Sequence, residues 1–390
     1  MTDGALFLDY CAKVAAGTGP VALDAERASG FRYGQRAYLI QVRRQGAGTA
    51  LIDPIAIPDL TPLNEAIGGA EWILHAATQD LACLAEVGLR PESLFDTELA
   101  GRLLGRERVS LAALVASELG EHLEKGHGAT DWSLRPLSPA QLRYAALDVE
   151  LLIELRDTLG QELADAGKDS LAREEFDHLL GFRPRTRGED EWRRTSGVHK
   201  VRKPQELAVV RELWRARDEL AETKDIAVGR LIPDSAIVIA AQSNAADKTE
   251  LLAVKGFHGR GAQRYIGRWW DAIQRARSLP ADEWPGPAPR AEGPPPARSW
   301  PERDPVAARR LAAARTLLAD IADEMAMPVE NVLTPDTLRR LCWSPPDLIT
   351  AETVGHDLIE QGARAWQVEA CVDDLVTILI DAEHTEVTDE

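Results

Sequence analysis

Cysteine is scarce in this chain. Its 390 residues include four, Cys11, Cys83, Cys342 and Cys371, and no two of them form a C-x-x-C pair. That excludes a disulfide framework and a zinc site as expectations and leaves buried thiols in a reducing compartment. Long apolar runs are missing as well. No stretch approaches the roughly 18 consecutive apolar residues of a membrane-spanning helix, so no contact with a membrane is expected. The opening MTDGALFLDYCAKV has no basic segment followed by an apolar one, so no secretory signal is read there and a cytoplasmic location is expected. Positive charge is also in deficit: 45 Lys and Arg stand against 63 Asp and Glu, a formal net charge of −18. Such a total argues against binding nucleic acid by bulk charge and directs attention to where the cations are concentrated.

The length suggests two to three domains, at about 100–200 residues each. Residues 1–182 alternate short strand-like runs with helical ones. PVALDAE (20–26), AYLIQVR (37–43), TALID (49–53) and EWILHAA (71–77) are apolar, contain Val, Ile or Tyr, and are separated by Gly and Pro. Helical spacing follows near 61–68, 79–87, 97–104, 110–119 and 138–164. Strands followed mostly by helices predict an α/β unit, a mixed sheet flanked by helices. The last of these helices has the clearest start: Ser138 as N-cap, Pro139 at the first helical position and Gln141 completing a capping box.

Residues 183–203 form a basic connector in which Arg183, Arg185, Arg187, Arg193, Arg194, Lys200, Arg202 and Lys203 face Glu189, Asp190 and Glu191. Residues 204–280 read as all-helical. Residues 281–305 (ADEWPGPAPRAEGPPPARSWPERDP) are Pro-rich without apolar period and are expected to be a semi-rigid linker. Residues 306–381 are helical again, and 382–390 form an acidic tail. The two helical modules share a pattern: a long helix, a break, a small apolar pair, then Pro-Asp opening another helix.

Three elements carry acids in positions that suggest chemistry. Asp24 and Glu26 lie two apart in a strand, so their side chains share a face. Two ionised carboxylates there repel unless a cation sits between them, although Glu26 can equally end the strand in solvent. Asp80 closes H-A-A-T-Q-D after the strand W-I-L. It can serve a site or simply favour the first turn of a helix. Tyr144 and Asp148 are i and i+4 on a helix and project together, as a core Tyr beside a surface Asp also would.

Taken together, Asp24-x-Glu26, Asp80 and Tyr144-x-x-x-Asp148 resemble the pattern of DEDD-superfamily 3′–5′ exonucleases of the tyrosine subtype. The connecting stretches HAATQDL (75–81), FDTELAGRLLG (95–105) and DWSLRPLSPAQLRYAALDV (131–149) are similar to ribonuclease D. The helical modules resemble HRDC domains. Arg27 departs from the family, which often has an aromatic there, and so does the segment SGFRYGQRA.

The resemblance implies an RNase H-like exonuclease domain followed by two HRDC-like domains. It implies a 3′→5′ exoribonuclease that trims RNA with a free 3′ end, such as tRNA precursors or other structured RNA, and releases 5′-mononucleotides. Asp24, Glu26, Asp80 and Asp148 would hold two divalent ions, Mg²⁺ or Mn²⁺, which suit hard carboxylate ligands. Tyr144 would orient the attacking water, because a phenol of ordinary pKa, about 10, is a poor base at neutral pH. His75 reads as packing at a strand end, with a general base as the rival role.

RNA contacts are expected from Lys125 and Trp132 before the Tyr144 helix and from Lys255, Arg260, Arg264 and Arg268, which lie among Tyr265, Trp269 and Trp270. A packing role for Trp132 and a solvated basic helix face are the competing readings. The protein is expected to be a monomer. The rival functions are a DNA 3′–5′ exonuclease and a non-catalytic RNA-binding protein.

Overall fold

The computed structural model describes residues 1–123, 130–286 and 293–384. The first unit is built on a five-stranded sheet: β1 (Thr18–Arg27), β2 (Ala37–Gln45), β3 (Gly48–Ile52), β4 (Glu71–Leu74) and β5 (Ser93–Asp96), in the order β3-β2-β1-β4-β5. The β1–β2 and β2–β3 pairs are antiparallel and the β1–β4 and β4–β5 pairs parallel. This is the mixed sheet expected. Its helices are α1 (Gly4–Ala16), α2 (Thr61–Ile67), α3 (Leu81–Glu86), α4 (Thr97–Leu103), α5 (Leu111–Leu114), α6 (Pro139–Glu150), α7 (Leu152–Asp165) and α8 (Asp169–Leu180).

Alternation along β1 divides the unit into two layers. Val21, Leu23 and Ala25 pack with α1 and α2, where Phe7, Tyr10, Val14 and Leu63 are buried. Ala22 points the other way, against Leu152, Leu155 and Leu159 of α7. Each of those leucines is at most 1% exposed, a burial that stabilises by about 1.5–3 kcal/mol apiece. Asp24 and Glu26 continue this second face towards α6. The capping box at Ser138 is present, with Gln141 as its partner. The single helix expected over 138–164 is two, α6 and α7, divided at Leu151.

The second unit holds α9 (Pro204–Lys224), α10 (Val228–Leu231), α11 (Asp234–Ser243), α12 (Lys248–Ala253), α13 (Arg260–Arg264) and α14 (Ile266–Ser278) around its own core. The third holds α15 (Trp300–Arg303), α16 (Pro305–Glu324), α17 (Val329–Val332), α18 (Pro335–Trp343), α19 (Ala351–Glu360) and α20 (Ala365–His384). Both modules run from a long helix through a four-residue helix to one opened by Pro-Asp, the shared pattern seen in the sequence.

Two expectations about the connecting segments need correction. Trp192 and Val201 of the basic connector are buried in the second unit's core, and Arg185 and Arg187 are paired with Glu191 and Asp218. Five of its eight cations, Arg185, Arg187, Arg193, Arg194 and Lys203, have a carboxylate within 4.0 Å. The Pro-rich segment is not a linker throughout: Trp300 is fully buried, its ring 4.9 Å from that of Trp343. A buried indole outweighs the extended preference of the flanking prolines.

The third unit shares one core with the exonuclease unit. Phe95, Leu114 and Phe176 belong to the same buried cluster as Trp300, Leu338 and Leu375. Arg364 pairs with the buried Glu175 of α8 at 2.7 Å. Gly105 takes a φ of +71°, and a Cβ there would lie 2.5 Å from the carbonyl oxygen of Ala326, so only glycine permits this close approach.

Candidate active site

Asp24 and Glu26 from β1, Asp80 at the start of α3, and Tyr144 and Asp148 from α6 line one cleft. One carboxylate oxygen each from Asp24, Glu26 and Asp148 lie within 4.8 Å of one another. Asp80 lines the same cleft outside that trio and is 94% buried. The i, i+2 and i, i+4 spacings read from the sequence thus bring their side chains to a common point.

Several residues that sequence reasoning did not single out support these groups. Gln41, opposite Asp24 in the ladder and fully buried, donates its Nε2 to Asp24 Oδ2 at 3.0 Å. Asp96 braces the turn before Asp80: it accepts the Ala76 and Ala77 amides at 3.0 and 2.8 Å and caps α4 through Glu98 and Leu99. Ala76 has φ +57°, a left-handed conformation costly for a residue with a Cβ. The Asp96 carboxylate holds it there, which gives the F-D-T-E sequence a structural role.

Arg27 departs from strict alternation. A register shift falls between Glu26 and Arg27; such bulges re-aim side chains. The Arg27 guanidinium reaches the carboxylate cleft, with Nε 3.9 Å from Asp80 Oδ1.

The electrostatics are those of a crowded cluster of partly buried acids. Burial, joined by repulsion from the other acids, pushes Glu26 up to about 9, Asp80 to about 8 and Asp148 to about 8. Burial also raises Asp24 to about 6, against the pull of the Ala25 amide and Arg27. Tyr144 is raised to about 12 by burial and then by Asp148, Glu26 and Asp24, so it is a poor proton acceptor here. Four desolvated carboxyls beside a single Arg fit the demand of divalent cations for several hard anionic oxygens.

His75 turns its Nδ1 to Thr97 Oγ1 at 2.9 Å, and burial lowers it to about 4. It is neutral at physiological pH and tied to the Asp96–Thr97 turn, and it lines the cleft. Trp132 is fully buried under Tyr144, ring centroids 6.5 Å apart, and presents no surface to RNA. Arg268 is engaged with the Ala216 carbonyl and Glu219. Lys255, Arg260 and Arg264 are exposed and make no ion pair among the described residues. Lys125 lies outside the described residues.

Comparison with known proteins gives the family of the chain. Residues 1–164 match the 3′-5′ exonuclease family, 206–273 the HRDC domain, and 293–379 the 3′ to 5′ exonuclease C-terminal domain. The chain is 32% identical to the ribonuclease D of Zymomonas mobilis over 293 residues, 73% of this chain and 74% of that protein. It belongs to the ribonuclease D family.

The ribonuclease D of Gluconacetobacter diazotrophicus is 30% identical over 84% of this chain and 82% of its own length. A crystal structure of a protein from Bifidobacterium adolescentis superposes with a TM-score of 0.88 at 39% identity, covering 97% of this chain and 96% of that one. Escherichia coli RNase D, described as an exoribonuclease involved in structured RNA processing, shares the fold with a TM-score of 0.70 at 24% identity over 98% of both chains. As a family member the protein is a metal-dependent 3′→5′ exoribonuclease. The third module is matched by the exonuclease C-terminal description rather than by HRDC, in keeping with its core shared with the first unit. Among the described residues no helix is long and apolar enough to cross a membrane, and all four cysteines are free.

The raised carboxyl pKa values predict how stability depends on pH. Each of the four exceeds its unfolded value of about 4. The metal-free folded state therefore keeps protons that the unfolded chain has released. Stability from these groups is fully present below about pH 4 and is lost as pH rises through the folded values of about 6 to 9. The melting temperature of chelator-treated protein should fall across this window, and saturating Mg²⁺ should remove most of the fall. Parallel melting curves with and without Mg²⁺ would contradict the assignment.

Proposed function

We propose that the chain trims the 3′ ends of structured RNA, including tRNA precursors, through two divalent cations, Mg²⁺ or Mn²⁺, and releases 5′-mononucleotides. The convergence of Asp24, Glu26 and Asp148 within 4.8 Å, with Asp80 in the same cleft, carries the reading. The trio would hold one ion, and Asp80 with Asp24 the other. Bound cations supply a water of lowered pKa and neutralise charge on the phosphate. Gln41 fixes the rotamer of Asp24, and the Asp96-braced turn fixes the start of α3, so ligands need little rearrangement. Tyr144 orients the attacking water through its hydroxyl and keeps its own proton. A cytoplasmic monomer is the form proposed.

For the domain plan we propose an exonuclease unit over 1–182, a connector over 183–203, an HRDC unit over 204–280, a Pro-rich segment over 281–305, a C-terminal helical unit over 306–381 and an acidic tail over 382–390. Burial of Trp192 and Trp300 supports moving the edges of the two helical units outward to include them.

The ion count is tested by titrating Mn²⁺ into metal-free protein and reading bound ion by electron paramagnetic resonance. Two equivalents should bind the wild type and one Asp80→Asn. A single equivalent in the wild type overturns the two-ion reading.

Lys255, Arg260 and Arg264 form the proposed RNA grip. Replacing all three by alanine should flatten the dependence of log affinity on log salt by about 0.7–0.9 per lost phosphate contact. A slope equal to wild type would remove them from the interface. Point variants are the proper tool, because truncation before 204 would strip the exonuclease unit of core partners such as Trp300 and Leu338.

A further inference from the structure

The segment following Asp24-x-Glu26 forms one wall of the cleft: Ser29, Gly30 and Phe31 line it. Within its own unit this stretch is thinly held. Its local backbone bonds are those from the Phe31 and Arg32 amides to the Ala28 carbonyl, both 2.8 Å. Gln35 Nε2 lies 3.4 Å from the Tyr33 and Gly34 carbonyls, and four further backbone hydrogen bonds come from the second unit. The Ala227 amide donates to the Phe31 carbonyl at 3.0 Å, and Arg230 Nε to the Gly30 carbonyl at 2.9 Å. Asp225 Oδ1 accepts the amides of Tyr33 and Gly34 at 3.1 and 3.2 Å. The Arg230 guanidinium also lies over the Phe31 ring, 4.1 Å from its centroid.

The same contacts reach the opposite wall. Arg32 Nη1 is 3.8 Å from Asp225 Oδ2, while its Nε donates to Ser133 Oγ at 2.8 Å. Ser133 lies in the turn that leads into α6, the helix of Tyr144 and Asp148, and Thr130 at that turn also lines the cleft. Asp225 itself ends α9 in a left-handed conformation with φ +46°. Its carboxylate is thus placed by a backbone conformation that an aspartate tolerates better than most residues.

We propose that Asp225 and Arg230 are positioning residues for the hydrolytic reaction: through them the HRDC unit sets the geometry of the catalytic cleft, in addition to any hold on RNA. The inference rests on the exonuclease reading of that cleft. It makes the second unit part of the active-site scaffold. A wall anchored through four backbone hydrogen bonds to another unit shifts when those bonds are lost, and a misplacement of about 1 Å can slow a reaction about 10²-fold.

The test compares Asp225→Gly with Asp225→Asn on the full chain. Glycine accepts the left-handed conformation and removes the carboxylate; asparagine keeps the conformation and one acceptor oxygen. With a short oligoadenylate and saturating Mg²⁺, Asp225→Gly should lower kcat by about 10–100-fold with little change in KM. Asp225→Asn should retain most of the rate. Mn²⁺ affinity should equal wild type in both, since no carboxylate of the cleft is altered. Hydrogen exchange supplies an arm independent of catalysis: the Tyr33 and Gly34 amides should exchange faster in Asp225→Gly. Arg230→Met provides a second route should Asp225→Gly melt early, with the same fall in kcat expected. Wild-type kcat in both Asp225→Gly and Arg230→Met overturns the proposal. A rise in KM with kcat unchanged also overturns it, because the unit would then act only by holding RNA. Wild-type protein that leaves the oligonucleotide intact would instead overturn the exonuclease reading, while the exchange arm still reports on the clamp.

Discussion

Asp24→Asn is expected to abolish hydrolysis while leaving the protein folded. Asp24 is central to the cluster: it is one of the three carboxylates within 4.8 Å, and its charge helps raise Glu26, Asp80 and Asp148. A neutral amide binds a hard divalent cation weakly, and losing charge stabilisation worth several kcal/mol corresponds to a rate loss of about 10³-fold or more. Folding should not suffer. Removing one of several repelling carboxylates eases the metal-free state, so its melting temperature should equal or exceed wild type. The gain in melting temperature on adding Mg²⁺ should disappear, because that gain depends on a ligand bound only by the folded form. Wild-type turnover by Asp24→Asn would remove this residue from the metal site.

Tyr144→Phe isolates the hydroxyl. The substitution keeps the ring that packs over Trp132 and leaves all four carboxylates in place. Burial and the neighbouring acids raise the phenol to about 12, which favours orientation of water by its hydroxyl as the role tested. Single-turnover rate should therefore fall by about 10²–10⁴-fold, the range for a positioned proton-transfer or orienting group, while Mn²⁺ and RNA affinities stay near wild type. Full single-turnover rate in Tyr144→Phe would make the hydroxyl incidental and end the tyrosine-assisted mechanism for this protein.

How much of this could be read from the chain follows from the range of each interaction. Asp24 with Glu26 and Tyr144 with Asp148 were legible because strand and helix periods put neighbours in sequence on one face. The start of α6 was legible because its capping box is local. β5 was not: four residues, of which only Leu94 and Phe95 are apolar, cannot display alternation. The stripe Phe7, Tyr10, Cys11 and Val14 of α1 has helical spacing and an N-cap in Asp3, yet a two-turn pattern near the chain start stands out little. Gln41 reads as a polar break in an apolar strand until the ladder sets it opposite Asp24. Asp96 reaches back 20 residues to Ala76. The clamp on the cleft wall joins Tyr33 to Asp225 across 192 residues. Trp300 joining the exonuclease core is a similarly distant contact, and no periodicity announces it.

The central claim is that the Asp24 cluster drives metal-dependent removal of nucleotides from RNA 3′ ends. It is tested most directly by digesting one RNA, labelled in separate preparations at its 3′ and 5′ ends, with wild-type protein in Mg²⁺ and in excess chelator. In Mg²⁺ the 3′ label should appear at once as mononucleotide, and the 5′ label should pass through a ladder of progressively shortened products. In chelator both substrates should stay intact. Release of the 5′ label first, internal cleavage, or undiminished turnover in chelator would contradict the account.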